Sequence, residues 1–259
     1  MEELLKVNHV TMKFGGLKAI NELDMSVSKG EIHGLLGPNG SGKTTCFNVI
    51  SGVYQPTEGN VFLEGKQING NERYAINELG IARTFQHISL FSTMSVLENV
   101  IVGQHCRTKS GLVSAILRTK KERQEEQKMV ERAYELLDFV NLTHRAGELA
   151  CNLPYGEQRL LEIVRGLASA PKLMMLDEAS AGMNSTEKKD LIQIIRAISQ
   201  QGITVLMIEH DMKLAMSLSD EITVLDHGSK IAEGPPADIQ KNQQVIEAYL
   251  GKGGVARAK

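Results

Sequence analysis

The 259-residue sequence predicts an α/β fold built on a largely parallel sheet, and three observations carry that expectation. Short apolar runs that read as buried strands alternate with segments of helical periodicity, a pattern that yields a parallel sheet with ligands at the carboxyl ends of its strands. One run, Ile32-His33-Gly34-Leu35-Leu36, leads into Gly37-Pro38-Asn39-Gly40-Ser41-Gly42-Lys43-Thr44-Thr45. That loop has the spacing glycine, four residues, Gly-Lys-Thr of a phosphate-binding loop. The third observation is convergence: the loop, Asp177-Glu178 and His210 all stand at the exits of expected strands.

Each element has its own signal. Residues 4–14 alternate as a strand and close on Phe14-Gly15-Gly16, and a second strand is expected around Leu23–Val27 before the Lys29-Gly30 turn. The loop opens a helix that runs to about Ser51, and Asn60–Gly65 reads as another strand. Ser95 and Glu98 are spaced as a capping box. From about 95 to 150 the chain is helical and poor in strands, a helical insertion into the α/β core, with a solvated charged face from Arg118 to Arg132. The core resumes with an apolar strand ending in Asp177-Glu178, a helix carrying Leu191, Ile192, Ile194, Ile195 and Ile198 that Gly202 ends, and a buried strand, Ile203–Ile208. Ile222–Leu225 and Lys230–Ala232 read as a closing pair joined at His227-Gly228. The Gly-rich basic tail from Gly251 is expected to fray.

The chemistry follows from residue type and place. Glycines accept dihedrals that side chains forbid, so the backbone wraps phosphate oxygens with the amides of Asn39 to Thr45 aimed inward at a helix N-terminus. Lys43 would reach the β- and γ-phosphates, and the Thr44 hydroxyl would help hold Mg²⁺. Neighbouring strand residues point to opposite sides, so Asp177 is expected to face the metal through water, with Glu178 beside the γ-phosphate as base or water orienter. The Gln86 amide can bridge metal or attacking water to the insertion. Phe14, near a strand end, can stack on an adenine.

Composition narrows the class. A chain 42% hydrophobic and 23% charged is that of a soluble globular protein. The formal net charge of −2 offers no electrostatic argument for nucleic acid. Cys46, Cys106 and Cys151 stand far apart without metal-ligand spacing, which suits a reducing cytosol. No secretory signal or membrane-spanning run is apparent, so any membrane role is expected to come through a partner.

Together Phe14, Gly37–Thr45, Gln86, Asn152-Leu153-Pro154-Tyr155-Gly156-Glu157-Gln158, Asp177-Glu178 and His210 resemble the ATP-binding subunits of ABC transporters, over essentially the full length. The resemblance implies one ABC-type P-loop ATPase domain with antiparallel N-terminal strands and an inserted helical subdomain. Its core lobe would be 1–87 and 169–240, its helical insertion 88–168, and its C-terminal helix and tail 241–259. The resemblance also implies ATP and Mg²⁺ as cofactors, with Thr44, Gln86 and Asp177 at the metal. Phe14 becomes the adenine-stacking aromatic, Gln86 the Q-loop, His210 the switch histidine. Leu153, Pro154, Tyr155, Gly156 and Glu157 become the signature segment, which contacts the γ-phosphate held by the opposite subunit of a head-to-tail dimer.

Within that superfamily the chain looks most like the LivG-type ATPases of branched-chain amino acid importers. The supporting stretches are Phe14–Ala19, Arg83-Thr84-Phe85-Gln86-His87, Arg159–Ile163, Ile208–Met212 and Val245–Gly251. The implied partners are two multi-span permease subunits, a second copy or a related ATPase subunit, and indirectly a periplasmic or extracellular solute-binding protein, with no nucleic acid. The implied location is the cytoplasmic face of the cell (inner) membrane, peripherally bound. ATPases of lipid or lipopolysaccharide exporters share much of the pattern, and soluble ABC ATPases acting on DNA or ribosomes are the other alternative. The Arg83–His87 stretch and the C-terminal Ala-Tyr-Leu-Gly favour the importer, and a single cassette without a basic stripe disfavours the soluble class.

Two departures from the superfamily pattern stand out. Its signature is Leu-Ser-Gly-Gly-Gln, where this chain has Pro154, Tyr155 and Glu157 for Ser, the first Gly and Gln. Pro154 offers neither hydroxyl nor amide hydrogen, so one γ-phosphate contact is expected to be lost or replaced. Ala179 stands where the superfamily usually has Pro, which leaves that loop's backbone less constrained. Ile88, Leu90, Phe91, Met94 and Val96 are candidates for a groove that receives a permease coupling helix.

Overall fold

Ile32–Leu36 is buried at all five positions and lies in the middle of the larger of two sheets. The computed structural model describes residues 2–86, 88–104 and 120–250; His87, Cys106, the start of the charged run at Arg118 and the tail from Gly251 lie outside them. β1 (Glu3–Phe14) and β2 (Leu17–Ser28) pair antiparallel. β2 starts well before Leu23 because Leu17 and Lys18, though polar or exposed in setting, extend the ladder opposite Phe14 and Lys13. β3 (Ile32–Leu36), α1 (Lys43–Ile50), β4 (Glu58–Leu63), β5 (Lys66–Gln67), α2 (Arg73–Leu79) and β6 (Ile81–Arg83) follow. α2 and β6 have no counterpart in the sequence reading, since seven and three residues are too few to display a period.

α3 (Val96–Gly103) opens on the expected capping box: Glu98 N donates to Ser95 Oγ at 3.2 Å, and Ser95 N to Glu98 Oε2 at 2.7 Å. α4 (Lys120–Phe139) carries the rest of the charged run, where Gln127 bonds Glu131 and Arg132 bonds Glu135 one turn on. α5 (Tyr155–Ala168), β7 (Leu173–Asp177), α6 (Ser185–Gln200), β8 (Thr204–Ile208), α7 (Met212–Leu218), β9 (Glu221–Asp226), β10 (Ser229–Gly234), α8 (Pro236–Ile239) and α9 (Gln243–Leu250) complete the order.

The smaller sheet runs β2-β1-β4-β5 and is antiparallel. The larger runs β10-β9-β3-β8-β7-β6 and is parallel except for the β9–β10 pair. Its inner strands β3, β8 and β7 bury both faces, which is why they read as continuous apolar runs. Alternation then splits the core in two. Leu35, Met175, Leu206 and Ile208 pack with Phe47 and Ile50 of α1 and with the smaller sheet. Leu36, Leu176, Val205 and Met207 pack under α5 and α6 against Leu161, Val164, Leu191 and Ile195. Val96 is fully buried in this second cluster, so it supports α3 from beneath and does not line a surface groove as the sequence suggested. Cys46 and Cys151 are free, and burial pushes the Cys46 thiol up to about 12.

Phe47 has no exposed surface and sits between the phosphate loop's helix and the smaller sheet. Phe47→Ala should lower stability by about 3–5 kcal/mol in denaturant unfolding, as transfer and cavity costs add.

Candidate active site

Lys43 is the first residue of α1, and its ammonium folds back over the loop that precedes it. Nζ donates to Gly37 O at 2.7 Å and Pro38 O at 2.9 Å, with Ser41 Oγ at 3.5 Å. Burial pulls this ammonium below the ordinary lysine range, against the opposing pull of the Glu178 and Asp177 carboxylates. Two glycines make the loop possible. Gly37 has φ 147° and a Cβ there would lie 2.2 Å from Leu225 O; Gly42, at φ 106°, would place one 2.5 Å from Ala19 O. The loop therefore packs backbone to backbone on β9 and β2.

A cavity of about 710 Å³ opens above it, lined by Asn39 to Thr45, Phe14, Gln86, Glu178 and His210. Leu17, Lys18, Ala19, His227 and Gly228 complete the wall; the sequence placed them in a group-marking stretch and a strand joint, with no part in the site. Phe14 is 42% exposed at its rim and meets Tyr54 edge-on, ring centroids 5.3 Å apart. Pro38 lines an adjoining cleft of about 700 Å³, and Gly37 is buried beneath.

Glu178 gathers the other predicted residues. His210 Nε2 lies 2.7 Å from Glu178 Oε1, and Gln86 Nε2 donates to Glu178 Oε2 at 3.3 Å. The separation of Asp177 from Glu178 does not come from strand pleating. β7 ends at Asp177, and Glu178 turns out of the sheet with φ 51°, its amide held by Ile208 O at 2.9 Å. Asp177 stays behind, 2% exposed, and does not line the cavity. Arg83 Nη2 donates to Asp177 Oδ2 at 2.9 Å, while Nη1 reaches Asn48 Oδ1 and Ser51 Oγ of the α1 region at 2.7 and 2.9 Å. Arg83 thus ties β6, β7 and α1 together as a buried, partnered charge.

The ABC transporter family model matches residues 20–181, well over half of the chain. The chain belongs to the ABC transporter family. A second model, described as a branched-chain amino acid ATP-binding cassette transporter, matches residues 229–255. Among relatives, the chain is 43% identical to the high-affinity branched-chain amino acid transport ATP-binding protein LivG of Escherichia coli, over 97% of this chain and 99% of the relative. It is also 43% identical to BraF of Pseudomonas aeruginosa, of the same description, over 96% and 98%. The ADP conformation of MJ1267, an ATP-binding cassette of an ABC transporter, superposes with a TM-score of 0.85 at 33% identity, over 97% of this chain and all of that one. The family binds nucleotide, and its fold is the one described above.

Leu153 to Glu157, the segment expected to be the signature, stands at the start of α5. Among the described residues, none of Leu153 to Glu157 lines the cavity over Lys43. Leu153 is buried, Pro154 caps the helix, and Gln158 Nε2 reaches back to Leu153 O at 2.8 Å. The Tyr155 ring lies against Gly182, where a Cβ would be 2.8 Å away, and Glu157 pairs with Arg145 at 3.3 Å. One turn along, buried Arg159 grips the backbone at Phe85 and Gln86. Its Nη1 donates to Phe85 O at 2.8 Å, its Nη2 to Gln86 O and, at 3.0 Å, to Tyr155 Oη. Glu162, paired with Arg159 at 3.2 Å, accepts from Phe85 N and Ser89 N. The Gln86 side chain is therefore aimed by α5.

The loop at Ala179 is constrained in a way its lack of proline does not suggest. Glu209, 4% exposed, accepts from Ser180 N at 3.1 Å and from Ser180 Oγ at 2.7 Å. The residue after Ala179 is thereby fastened to the residue before His210. Arg83, Arg159, Glu162 and Glu209 were given no role in the sequence reading, although each lies in a stretch that marks the group.

Burial pushes the Glu209 carboxyl above the usual carboxylate range. A raised folded-state pKa favours the folded protein below the unfolded value near 4.5, and that advantage is lost as pH rises through the folded value. Glu209→Gln should therefore keep the pin and flatten this part of the stability–pH curve in thermal melts. Glu209→Ala should lower stability at every pH, by about 1–3 kcal/mol, as Ser180 loses its acceptor.

Proposed function

We propose that this chain is the ATP-hydrolysing subunit of an importer, coupling ATP binding and hydrolysis to uptake of branched-chain amino acids or related small amides and amino acids. The observation that carries the reading is the meeting of Glu178, His210 and Gln86 at the mouth of the cavity over Lys43. The relatives' descriptions as branched-chain amino acid transport ATP-binding proteins, and the second family model at the C-terminus, support the cargo class.

The residues fit a nucleotide with its metal. The loop offers a curved row of amides and a buried ammonium for phosphate oxygens, and Phe14 offers a ring at the rim for adenine. Mg²⁺ bound with phosphates needs few protein oxygens, and Thr44, Gln86 and Asp177 supply hydroxyl, amide and carboxylate. Among the described residues no cluster of three or more His, Cys, Asp or Glu competes for a metal. Asp177, with Oδ2 engaged by Arg83, would act through its other oxygen or through water. The bound metal would neutralise developing phosphate charge.

Glu178 is the base or water orienter, held in position by His210 and Gln86 so that its lone pairs face the cavity. His210 keeps Glu178 oriented until the γ-phosphate arrives. Leu153, Pro154, Tyr155, Gly156 and Glu157 act in trans, on nucleotide held by a second copy or a related ATPase subunit in a head-to-tail dimer. Among the described residues no helix is long and apolar enough to cross a membrane. The chain would dock on two permeases at the cytoplasmic face of the cell (inner) membrane, with a solute-binding protein beyond them.

The candidate docking groove has about 360 Å³ and is lined in part by Ser89, Leu90 and Phe91 with Arg165. Phe91 is 46% exposed, with the Arg165 guanidinium 5.6 Å from its ring. This groove adjoins the Q-loop backbone that Arg159 and Glu162 hold, which gives a mechanical route between the nucleotide and a bound helix.

In steady-state assays Lys43→Ala should abolish ATP binding or hydrolysis. Glu178→Gln should keep binding, lose roughly 10²–10⁴-fold in hydrolysis, and accumulate an ATP-bound dimer by size-exclusion chromatography. Normal turnover by Glu178→Gln would remove Glu178 from its assigned role. Phe91→Asp should abolish recruitment to permease-containing membranes while ATPase activity in solution persists; unchanged recruitment would locate docking elsewhere.

A further inference from the structure

The C-terminal Ala-Tyr-Leu-Gly stretch marks the group, yet nothing in the proposed hydrolysis uses it. The structure gives its tyrosine a definite partner. Gly37 N donates to Tyr249 Oη at 2.8 Å, across more than two hundred residues of sequence. Gly37 is buried, and its backbone faces Leu225 O so closely that no side chain fits there. In a loop of this spacing the amides aimed at phosphate are those of Asn39 to Thr45, so the Gly37 amide needs another acceptor. Tyr249 supplies it. Its ring also lines an apolar groove of about 640 Å³ with Met212 and Met216 of α7, the helix that begins two residues after His210. On its other side α9 flanks the loop across the cleft shared by Pro38, Asn39 and Gln244.

We infer that α9 is a strap and Tyr249 a positioning residue, which holds the phosphate loop in its binding shape from behind and registers it against α7. The inference rests on the nucleotide-binding reading above. Its mechanism is preorganisation: a loop already held costs less to order when nucleotide arrives. Tyr249→Phe keeps the ring in the groove and removes only the acceptor. It should weaken ATP binding about fivefold, the factor that a neutral hydrogen bond of ordinary net strength carries. The maximal hydrolysis rate should change less than about twofold, because Glu178 and His210 are untouched.

The test is a titration of the full chain with a fluorescent ATP analogue competed by ATP, with steady-state kinetics and thermal melts. Ile246→Ala is the control, since Ile246 lines the same groove and is not among the residues lining the cleft shared with the loop. The strap predicts weaker binding for Tyr249→Phe out of proportion to any fall in Tm, and a lower Tm at unchanged affinity for Ile246→Ala. It is overturned if Tyr249→Phe binds ATP as tightly as the wild type, or if both variants lose affinity in proportion to Tm. A wild-type chain that fails to bind ATP would overturn the nucleotide reading itself, a result distinguishable from either.

Discussion

Ile208 stands opposite Leu35 on one side and Asp177 on the other, in register, in the parallel ladder β3-β8-β7. Three chain segments far apart in sequence therefore leave the sheet at one height: the phosphate loop, the turn at Glu178 and the turn at His210. A parallel sheet makes this possible because all its strands end on one edge. The ladder itself is held by burial on both faces, with the α1 side and the α5–α6 side each supplying an apolar layer. Every distance in the site inherits its precision from that register, since a one-residue slip would turn each strand's residues to the wrong face.

Upon this frame the fine placement is set by a few buried charges, each with partners. Arg83 closes on Asp177 and on α1; Arg159 and Glu162 close on the Q-loop backbone; Glu209 closes on Ser180. Burying such groups is costly, and each is offset by bonds to backbone or to an opposite charge, although Arg83 Nε and Arg159 Nε have no partner among the described residues. Lone acids and amides at strand ends would have many orientations. Here each of these contacts ties down a segment next to Glu178, His210 or Gln86, and the three side chains meet one another directly.

Much of this was legible in the sequence where the signal was local. The loop from Gly37 to Thr45, the capping box at Ser95, the apolar strands at 173–177 and 204–208, and the β9–β10 pair all appear at or near their expected positions. Short elements such as α2 and β6 were not, because they lack a full period. Val96 was misplaced on a surface, since an apolar residue beginning a helix looks the same whether it faces a groove or the core. The group-marking stretches were recognisable as such, but their function was not. Arg83, Arg159, Glu209 and Tyr249 each act through a partner at least 29 residues away, as with Glu209 and Ser180.

The sequence by itself determined the phosphate loop, because the dihedrals and donors that make it are contained in nine consecutive residues. It also determined the class of sheet and the two carboxyls and histidine at its edge. Only the tertiary structure decided that Glu178, not Asp177, faces the cavity, that Glu209 supplies the constraint missing at Ala179, and that Tyr249 reaches the loop from behind. The reason is physical: side-chain aim depends on strand order, on backbone turns such as the one at Glu178, and on partners brought close by folding. None of these is encoded in any single stretch of chain.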